Sequence, residues 1–215
     1  MSTSSQLPLS LSFPEVFSEA SFYVSNCNSL AYDTLISENN WQAHALYIYG
    51  ESGCGKTHLC HIWAQRTNAI FIPIERIKAE TINSNCIVEN IEKCSDEKSL
   101  FHLFNHCRDI GKKLLMTSIV PQTSLDFTLP DLTSRLKACQ SVAINPPDDE
   151  LLRGVIRKQF SDRQLMVSDE VISYITTRTE RTLSNIKSLI EKIDKASISE
   201  QKNITIPFMK KLLEG

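Results

Sequence analysis

The segment that most constrains the fold of this chain is a glycine-rich loop at residues 50–57. It reads Gly-Glu-Ser-Gly-Cys-Gly-Lys-Thr, which is a complete G-x-x-x-x-G-K-[ST] pattern. The apolar run 46–49 before it predicts a buried strand, and a helical pattern runs from residue 56 to about 67. Glycines let backbone N–H groups turn inward around phosphate oxygens, and the helix adds the positive end of its dipole. The pattern therefore predicts a strand, loop and helix unit that binds the phosphates of a nucleotide.

The rest of the chain predicts an α/β core followed by a helical domain. Further apolar strands are predicted at 69–74, 86–88, 114–119 and 142–144, and amphipathic helices at 27–36 and 97–110. Apolar strands that alternate with helices are typical of a parallel sheet covered on both faces. After Pro146 and Pro147 only helical patterns remain, at 149–160, 168–178, 183–197 and 206–213. We expect a flexible leader at 1–20, an α/β core with a parallel five-stranded sheet at 21–146, and a small all-helical lid domain at 147–215.

Composition and charge exclude several functional classes. The chain is 41% hydrophobic and 22% charged, which is too apolar for a disordered protein. A net charge of −2 argues against a molecule that binds nucleic acid by overall electrostatic attraction. There is no run of 18 apolar residues for a membrane helix, and Lys56 is the first basic residue, so we expect neither a membrane span nor a signal peptide. The seven scattered cysteines include no Cys-x-x-Cys, so we expect free thiols and a cytoplasmic protein.

The residues beside the loop predict a site that holds a nucleotide better than it hydrolyses one. Lys56 is expected to reach the outer phosphates, and the hydroxyl of Thr57 to ligate Mg²⁺. The second acidic motif falls at 87–92, Ile-Val-Glu-Asn-Ile-Glu, where Glu89 can bind Mg²⁺ through a water. Asn90 stands where a base is expected, and an amide cannot take up a proton at neutral pH.

Several segments together resemble a known family. They are the loop with Thr57-His58-Leu59, Phe22-Tyr23-Val24 and Asn-Ser-Leu-Ala-Tyr at 28–32, Leu-Pro-Asp-Leu-Thr-Ser-Arg-Leu at 129–136, and the closing Ala-Ser-Ile at 196–198 with Ile-Thr-Ile-Pro-Phe at 204–208. These segments resemble the AAA+ core of the replication initiator DnaA, and more closely the Hda-type regulatory inactivators of DnaA. The resemblance covers nearly the whole chain and implies an AAA+ P-loop core with a helical lid.

The resemblance assigns roles to particular positions. Arg135 matches the arginine finger that reaches the nucleotide of a neighbouring subunit, and Lys187 matches the lid sensor, where the family more often has arginine. Glu89 stands in place of the usual aspartate, and Val24 falls where the family packs a backbone turn against adenine. The implied cofactors are ADP or ATP with Mg²⁺, which Thr57 and Glu89 would hold. The residues expected to bind the nucleotide are Gly50, Glu51, Ser52, Gly53, Cys54, Gly55, Lys56, Thr57, His58, Val24 and Lys187.

The leader contains a short motif of its own. Gln-Leu-Pro-Leu-Ser-Leu at 6–11 resembles the segment with which this family binds the sliding clamp of the replicative polymerase. A glutamine followed by alternating leucines is also the form of an extended peptide that docks into a groove of a partner. The residues expected to contact the clamp are Gln6, Leu7, Pro8, Leu9 and Leu11.

The resemblance implies a regulator of chromosomal replication. It would hold ADP, bind the DNA-loaded sliding clamp (the beta subunit of DNA polymerase III) and stimulate ATP hydrolysis on DnaA, which prevents over-initiation. DNA would then be contacted indirectly through the clamp. Assembly of the protein into a homo-oligomer is a further open alternative. Two alternatives remain at this point: a self-assembling AAA+ ATPase or loader, and a clamp-binding adaptor whose nucleotide is only structural. From the residues alone, Arg135 also fits a solvated surface arginine, and Lys187 an exposed helix lysine.

Overall fold

The computed structural model describes residues 17–37, 41–200 and 202–214. They divide into two compact units, Phe17–Asp148 and the described part of Asp149–Gly215. Within these ranges, no helix is both long and apolar enough to cross a membrane.

The first unit is built around one parallel sheet. Its strands are β1 (Ala45–Tyr49), β2 (Ile70–Phe71), β3 (Cys86–Val88), β4 (Leu114–Ser118) and β5 (Gln140–Ala143). Every neighbouring pair is parallel, in the order β2-β3-β4-β1-β5. The predicted five-stranded parallel sheet is therefore confirmed.

Two strands differ from their predicted bounds by more than one residue. The strand predicted at 69–74 is reduced to β2, which lies at the sheet edge, because the chain turns into a short 3₁₀ helix at Ile74–Arg76 with Pro73 as its N-cap residue. The last strand begins two residues earlier than predicted, at Gln140, since its pairing with β1 carries polar residues into the ladder. Pairing with a neighbour, rather than apolar character, decides where these short strands begin and end.

Four helices cover the sheet. They are α1 (Ser29–Ile36), α2 (Lys56–Thr67), α3 (Glu97–Asp109) and α4 (Pro130–Ala138). The periodicity predicted all of them except α4, which has nine residues and only two buried apolar ones, Leu132 and Leu136. Its signal was Pro130, a residue favoured at the first position of a helix.

The two faces of the sheet bury two separate clusters. Successive strand residues point to opposite faces, so Leu46 and Ile48 pack with α1 and α2, whereas Tyr47 packs with α3 and α4. Leu59 of α2 and Leu132 of α4 belong to different clusters. It follows that α2 and α4 lie on opposite faces of the sheet.

The second unit consists of four helices, as predicted. They are α5 (Asp149–Asp162), α6 (Asp169–Arg178), α7 (Leu183–Glu200) and α8 (Ile206–Glu214). Side chains from all four form one apolar core that includes Phe160, Ile175, Ile190 and Met209. Ser168 accepts a hydrogen bond from the N–H of Val171 at 3.4 Å and caps α6.

Candidate functional site

The glycine-rich loop leaves the end of β1 at a point where no side chain fits. A β-carbon on Gly50 would lie 2.6 Å from the carbonyl oxygen of Ile144 and 2.9 Å from the Cys54 sulfur. Gly53 and Gly55 have φ angles of 75° and 108°, in the region that glycine adopts without strain. The glycines of the motif are therefore required by the backbone of the loop itself.

Lys56 opens α2 and points its ammonium group back into the loop. Its Nζ donates to the carbonyl oxygens of Gly50 at 2.6 Å and Glu51 at 2.9 Å, and the residue is only 7% exposed. Among the described contacts this ammonium group meets carbonyl oxygens rather than a carboxylate, so its positive charge is not neutralised. A buried cation beside a helix N-terminus fits the phosphate groups of a nucleotide.

The two predicted metal ligands meet across the sheet edge. Thr57, in the first turn of α2, donates its hydroxyl to Oε1 of Glu89, just after β3, at 2.7 Å. Oxygen ligands suit Mg²⁺, which is usually held by one or two protein groups together with phosphates and waters. In the described part of the chain, no group of three or more histidine, cysteine, aspartate or glutamate side chains is arranged to hold a metal ion. The pair therefore fits a metal that a nucleotide helps to bind.

Asn90, which stands where the motif leads us to expect a base, has its backbone fixed by a hydrogen bond. It lies in the left-handed region, with φ 56° and ψ 48°, and its N–H donates to Oγ1 of Thr117 at 3.3 Å. An asparagine tolerates this conformation better than most residues. The site thus has an amide at the end of β3, next to the carboxylate of Glu89.

An aromatic cluster of Phe22, Tyr32 and His58, called here the aromatic wall, lies beside the loop. The ring of Phe22 lies 3.6 Å from where a β-carbon of Gly55 would be, and it contacts the rings of Tyr32 and His58. His58 Nε2 lies 2.9 Å from the carbonyl oxygen of Ser18. Val24, two residues beyond Phe22, is 41% exposed. Phe22 lies in a segment that carries the resemblance, but no local pattern predicted that its ring belongs to this wall.

Cys54 in the loop is a packing residue. The thiol is 4% exposed, and burial raises its pKa above the usual value for cysteine. A thiol with a raised pKa is protonated at neutral pH and is a weak nucleophile. Glu51, Ser52 and Gly53 are exposed, so the outer part of the loop is open to a ligand.

Arg135 lies on α4 and not on an element that carries the loop. It is an exposed residue of α4, next to the buried Leu136, and α4 covers the opposite face of the sheet from α2. Lys187 lies on α7 of the helical unit and is half-buried, next to the buried Ile186. The five predicted clamp-binding residues, Gln6, Leu7, Pro8, Leu9 and Leu11, lie outside the described residues.

A parallel sheet in the order β2-β3-β4-β1-β5, a phosphate-binding loop after β1 and a separate unit of four helices define a protein of the AAA+ class. Solved structures agree with this fold. Domain III of DnaA from Thermotoga maritima is similar with a TM-score of 0.78, at 20% identity over 92% of this chain and 95% of that one. AMPPCP-bound DnaA from Aquifex aeolicus has a TM-score of 0.68, at 21% identity over 83% of this chain and 65% of that one. The Holliday junction branch migration motor RuvB of Thermotoga maritima has a TM-score of 0.67, at 19% identity over 86% and 66%.

Sequence comparison identifies the family within this class. The family model of the Hda lid domain matches residues 149–213. An uncharacterised protein of Haemophilus influenzae is 32% identical over 231 aligned positions, which cover 97% of this chain and 98% of that protein. The chain belongs to the Hda-type family of DnaA-related AAA+ replication regulators.

Proposed function

We propose that this protein holds ADP in the loop at 50–57, binds the DNA-loaded sliding clamp through its N-terminal segment, and stimulates ATP hydrolysis on DnaA. Hydrolysis would return DnaA to its ADP form after replication starts. One observation carries this proposal: the described residues beside the loop lack a hydrolytic base at the expected position, and the exposed arginine lies on another element. The end of β3 presents an amide at Asn90 where a hydrolytic base is expected, while Arg135 is exposed on a helix that does not pack on the face of the loop helix.

The loop supports the nucleotide part of the proposal. The turn at Gly53 and Gly55, the buried ammonium group of Lys56 and the oxygen pair of Thr57 and Glu89 fit a diphosphate with Mg²⁺. When bound, Mg²⁺ would neutralise phosphate charge. The aromatic wall at Phe22 and the exposed Val24 would cover the base, while Lys187 would act from the lid.

Arg135 supports the part that acts on DnaA. A guanidinium group is always charged and can form two parallel hydrogen bonds to phosphate oxygens, which a lysine cannot reproduce. Placed in the nucleotide site of DnaA, Arg135 would stabilise the negative charge that develops during phosphoryl transfer. An arginine supplied by a partner accelerates hydrolysis about 10³–10⁵-fold in other nucleotide hydrolases.

The proposal is tested by single-turnover hydrolysis of ATP bound to DnaA, with this protein and clamp loaded on DNA. Arg135→Ala should remove most of the stimulation, and Arg135→Lys should restore little of it. ADP affinity, clamp binding and melting temperature should stay as in the wild type. Arg108→Ala, which removes an exposed arginine of α3, serves as the matched control and should stimulate fully.

The alternatives give different results in the same assay. Full stimulation by Arg135→Ala would contradict the finger assignment and favour an adaptor with a structural nucleotide. Rapid ATP turnover by the isolated protein, without DnaA, would favour a self-assembling ATPase. Identifying the nucleotide that accompanies the purified protein tests whether ADP is the ligand.

A further inference from the structure

The helix that carries Arg135 is held at its start by a carboxylate from another helix. Glu97 is the first residue of α3. Its Oε1 accepts hydrogen bonds from the N–H and the hydroxyl of Thr128, both at 3.0 Å. Its Oε2 accepts the N–H of Leu129 at 2.6 Å. One side chain therefore binds the two residues that immediately precede α4.

These bonds supply the part of a capping box that α4 lacks, because the third residue of the helix is Leu132 and not a glutamate. Leu129 is the N-cap residue, and a leucine side chain cannot accept a hydrogen bond. In a capping box, a glutamate three residues into the helix accepts the N–H of the N-cap residue. Here Glu97 accepts that N–H from outside the helix. The same hydrogen bonds lower the pKa of Glu97, so the carboxylate is ionised at neutral pH.

The orientation of α4 is fixed by two buried leucines together with the hydrogen bonds to Glu97. Leu132 and Leu136 are buried against the α3 side of the sheet, which sets the rotation of the helix about its axis. The hydrogen bonds to Glu97 set where its first turn begins. Arg135 lies between the two leucines in sequence and is exposed, so its direction follows from these two constraints.

We infer that Glu97 is a positioning residue for Arg135: it anchors the start of α4 so that the guanidinium group meets the nucleotide of the partner in a fixed geometry. This inference rests on the proposed function of Arg135. Glu97 itself is not expected to contact the nucleotide.

The experiment replaces Glu97, whose two carboxylate oxygens both accept hydrogen bonds, by glutamine. Glutamine keeps one acceptor oxygen and turns an NH₂ group toward a donor. In the assay of DnaA-bound ATP hydrolysis, Glu97→Gln should lower the maximal stimulated rate about tenfold or more, since a misplacement of 1 Å can cost about 100-fold in rate. The concentration that gives half-maximal stimulation and the ADP affinity should not change. Asp131→Asn, which removes an exposed charge from the first turn of α4, is the matched control and should behave as the wild type.

A double variant separates this inference from the proposed function. If Glu97 acts through Arg135, Glu97→Gln should have no further effect in the Arg135→Ala background. An unchanged maximal rate in Glu97→Gln, with Arg135→Ala inactive, overturns the inference and leaves the proposed function intact. Full activity of Arg135→Ala overturns both.

A milder variant guards against misfolding. Thr128→Val removes one of the three donors and keeps both backbone hydrogen bonds. It should keep the wild-type melting temperature and lower the maximal rate by less than Glu97→Gln does. A rate equal to that of the wild type in Thr128→Val, together with loss of ADP binding in Glu97→Gln, would indicate a purely structural role and overturn the inference.

Discussion

The phosphate loop meets two physical requirements, a particular backbone shape and a positive charge. Gly50 is needed because Ile144 and Cys54 fill the space where a side chain would lie, and Gly55 because of its φ angle of 108°. Lys56 is needed for charge, since it places a buried ammonium group among the carbonyl oxygens of the loop. Backbone shape and charge are thus supplied by different residues of one motif.

Replacing Lys56 tests the charge requirement. Lys56→Ala removes hydrogen bonds from a charged donor, which contribute about 1.5–3 kcal/mol each, so ADP affinity should fall roughly 10–100-fold or more. Isothermal titration calorimetry with ADP and Mg²⁺ measures the change. Lys98→Ala, on the exposed side of α3, is the control and should bind ADP as the wild type does. Equal affinity in the two variants would mean that the loop is not the nucleotide site.

Among the secondary-structure elements, β1 is a buried interior strand of the sheet. It is paired on both sides, with β4 and β5, and its residues Ala45–Ile48 are buried. Tyr47 places a phenol in this interior, where its hydroxyl donates to the carbonyl oxygen of Val120 at 2.6 Å. Burial raises the pKa of Tyr47 to about 12 from its ordinary value of 10.0.

This shift predicts a pH dependence of stability. The folded state keeps the phenol protonated, whereas the unfolded chain releases the proton near pH 10. The contribution of Tyr47 to stability is therefore complete below pH 10 and is lost as the pH rises through about 12. Urea unfolding between pH 9 and 11.5 should show a steeper loss for the wild type than for Tyr47→Phe.

The phenylalanine variant has a second expected effect. It loses one hydrogen bond, so at pH 8 it should be less stable by about 1 kcal/mol. Tyr49→Phe, on the same strand, controls for the loss of a tyrosine hydroxyl. Parallel pH profiles for the wild type and Tyr47→Phe would show that the phenol is not protected from ionisation.

In the molecule as a whole, the expected functions fall in different segments of the chain. One compact unit carries the loop and Arg135, the helical unit carries the Hda lid match, and the proposed clamp motif precedes both. Charge follows the same division. Residues 150–215 have 12 basic and 9 acidic side chains, so the net charge of −2 arises from the rest of the chain.

This separation predicts that clamp binding can be removed alone. The double variant Gln6→Ala, Leu9→Ala should lose retention on immobilised clamp, because the amide and one apolar anchor of an extended peptide are gone. Its ADP affinity and melting temperature should equal those of the wild type. Ser2→Ala with Ser4→Ala is the matched control and should bind the clamp normally. Clamp binding that survives deletion of residues 1–12 would contradict the motif assignment.

Long periodic elements and the motif were predictable from sequence because their signals are local. The helices α2, α3 and α5–α8 follow from apolar periodicity, and strand–loop–helix context identifies the phosphate loop. Thr57 and Glu89, 32 residues apart, were each predicted as a ligand of Mg²⁺, and the structure joins them by a hydrogen bond that the sequence did not predict. The family likewise follows from motifs, and the comparisons confirm it.

The class of fold, the phosphate loop and the residues that can carry its chemistry were predictable from the amino-acid order, because each depends on neighbours within a few positions. The bounds of β2 and β5, the formation of α4 and the face that α4 covers were not predictable in this way. These depend on contacts between distant segments: the ladder of β5 with β1, the burial of Leu132 and Leu136, and the hydrogen bonds that Glu97 accepts from residues 31 and 32 positions away. No local pattern encodes such contacts, since they exist only after the sheet has brought α3 and α4 to the same face.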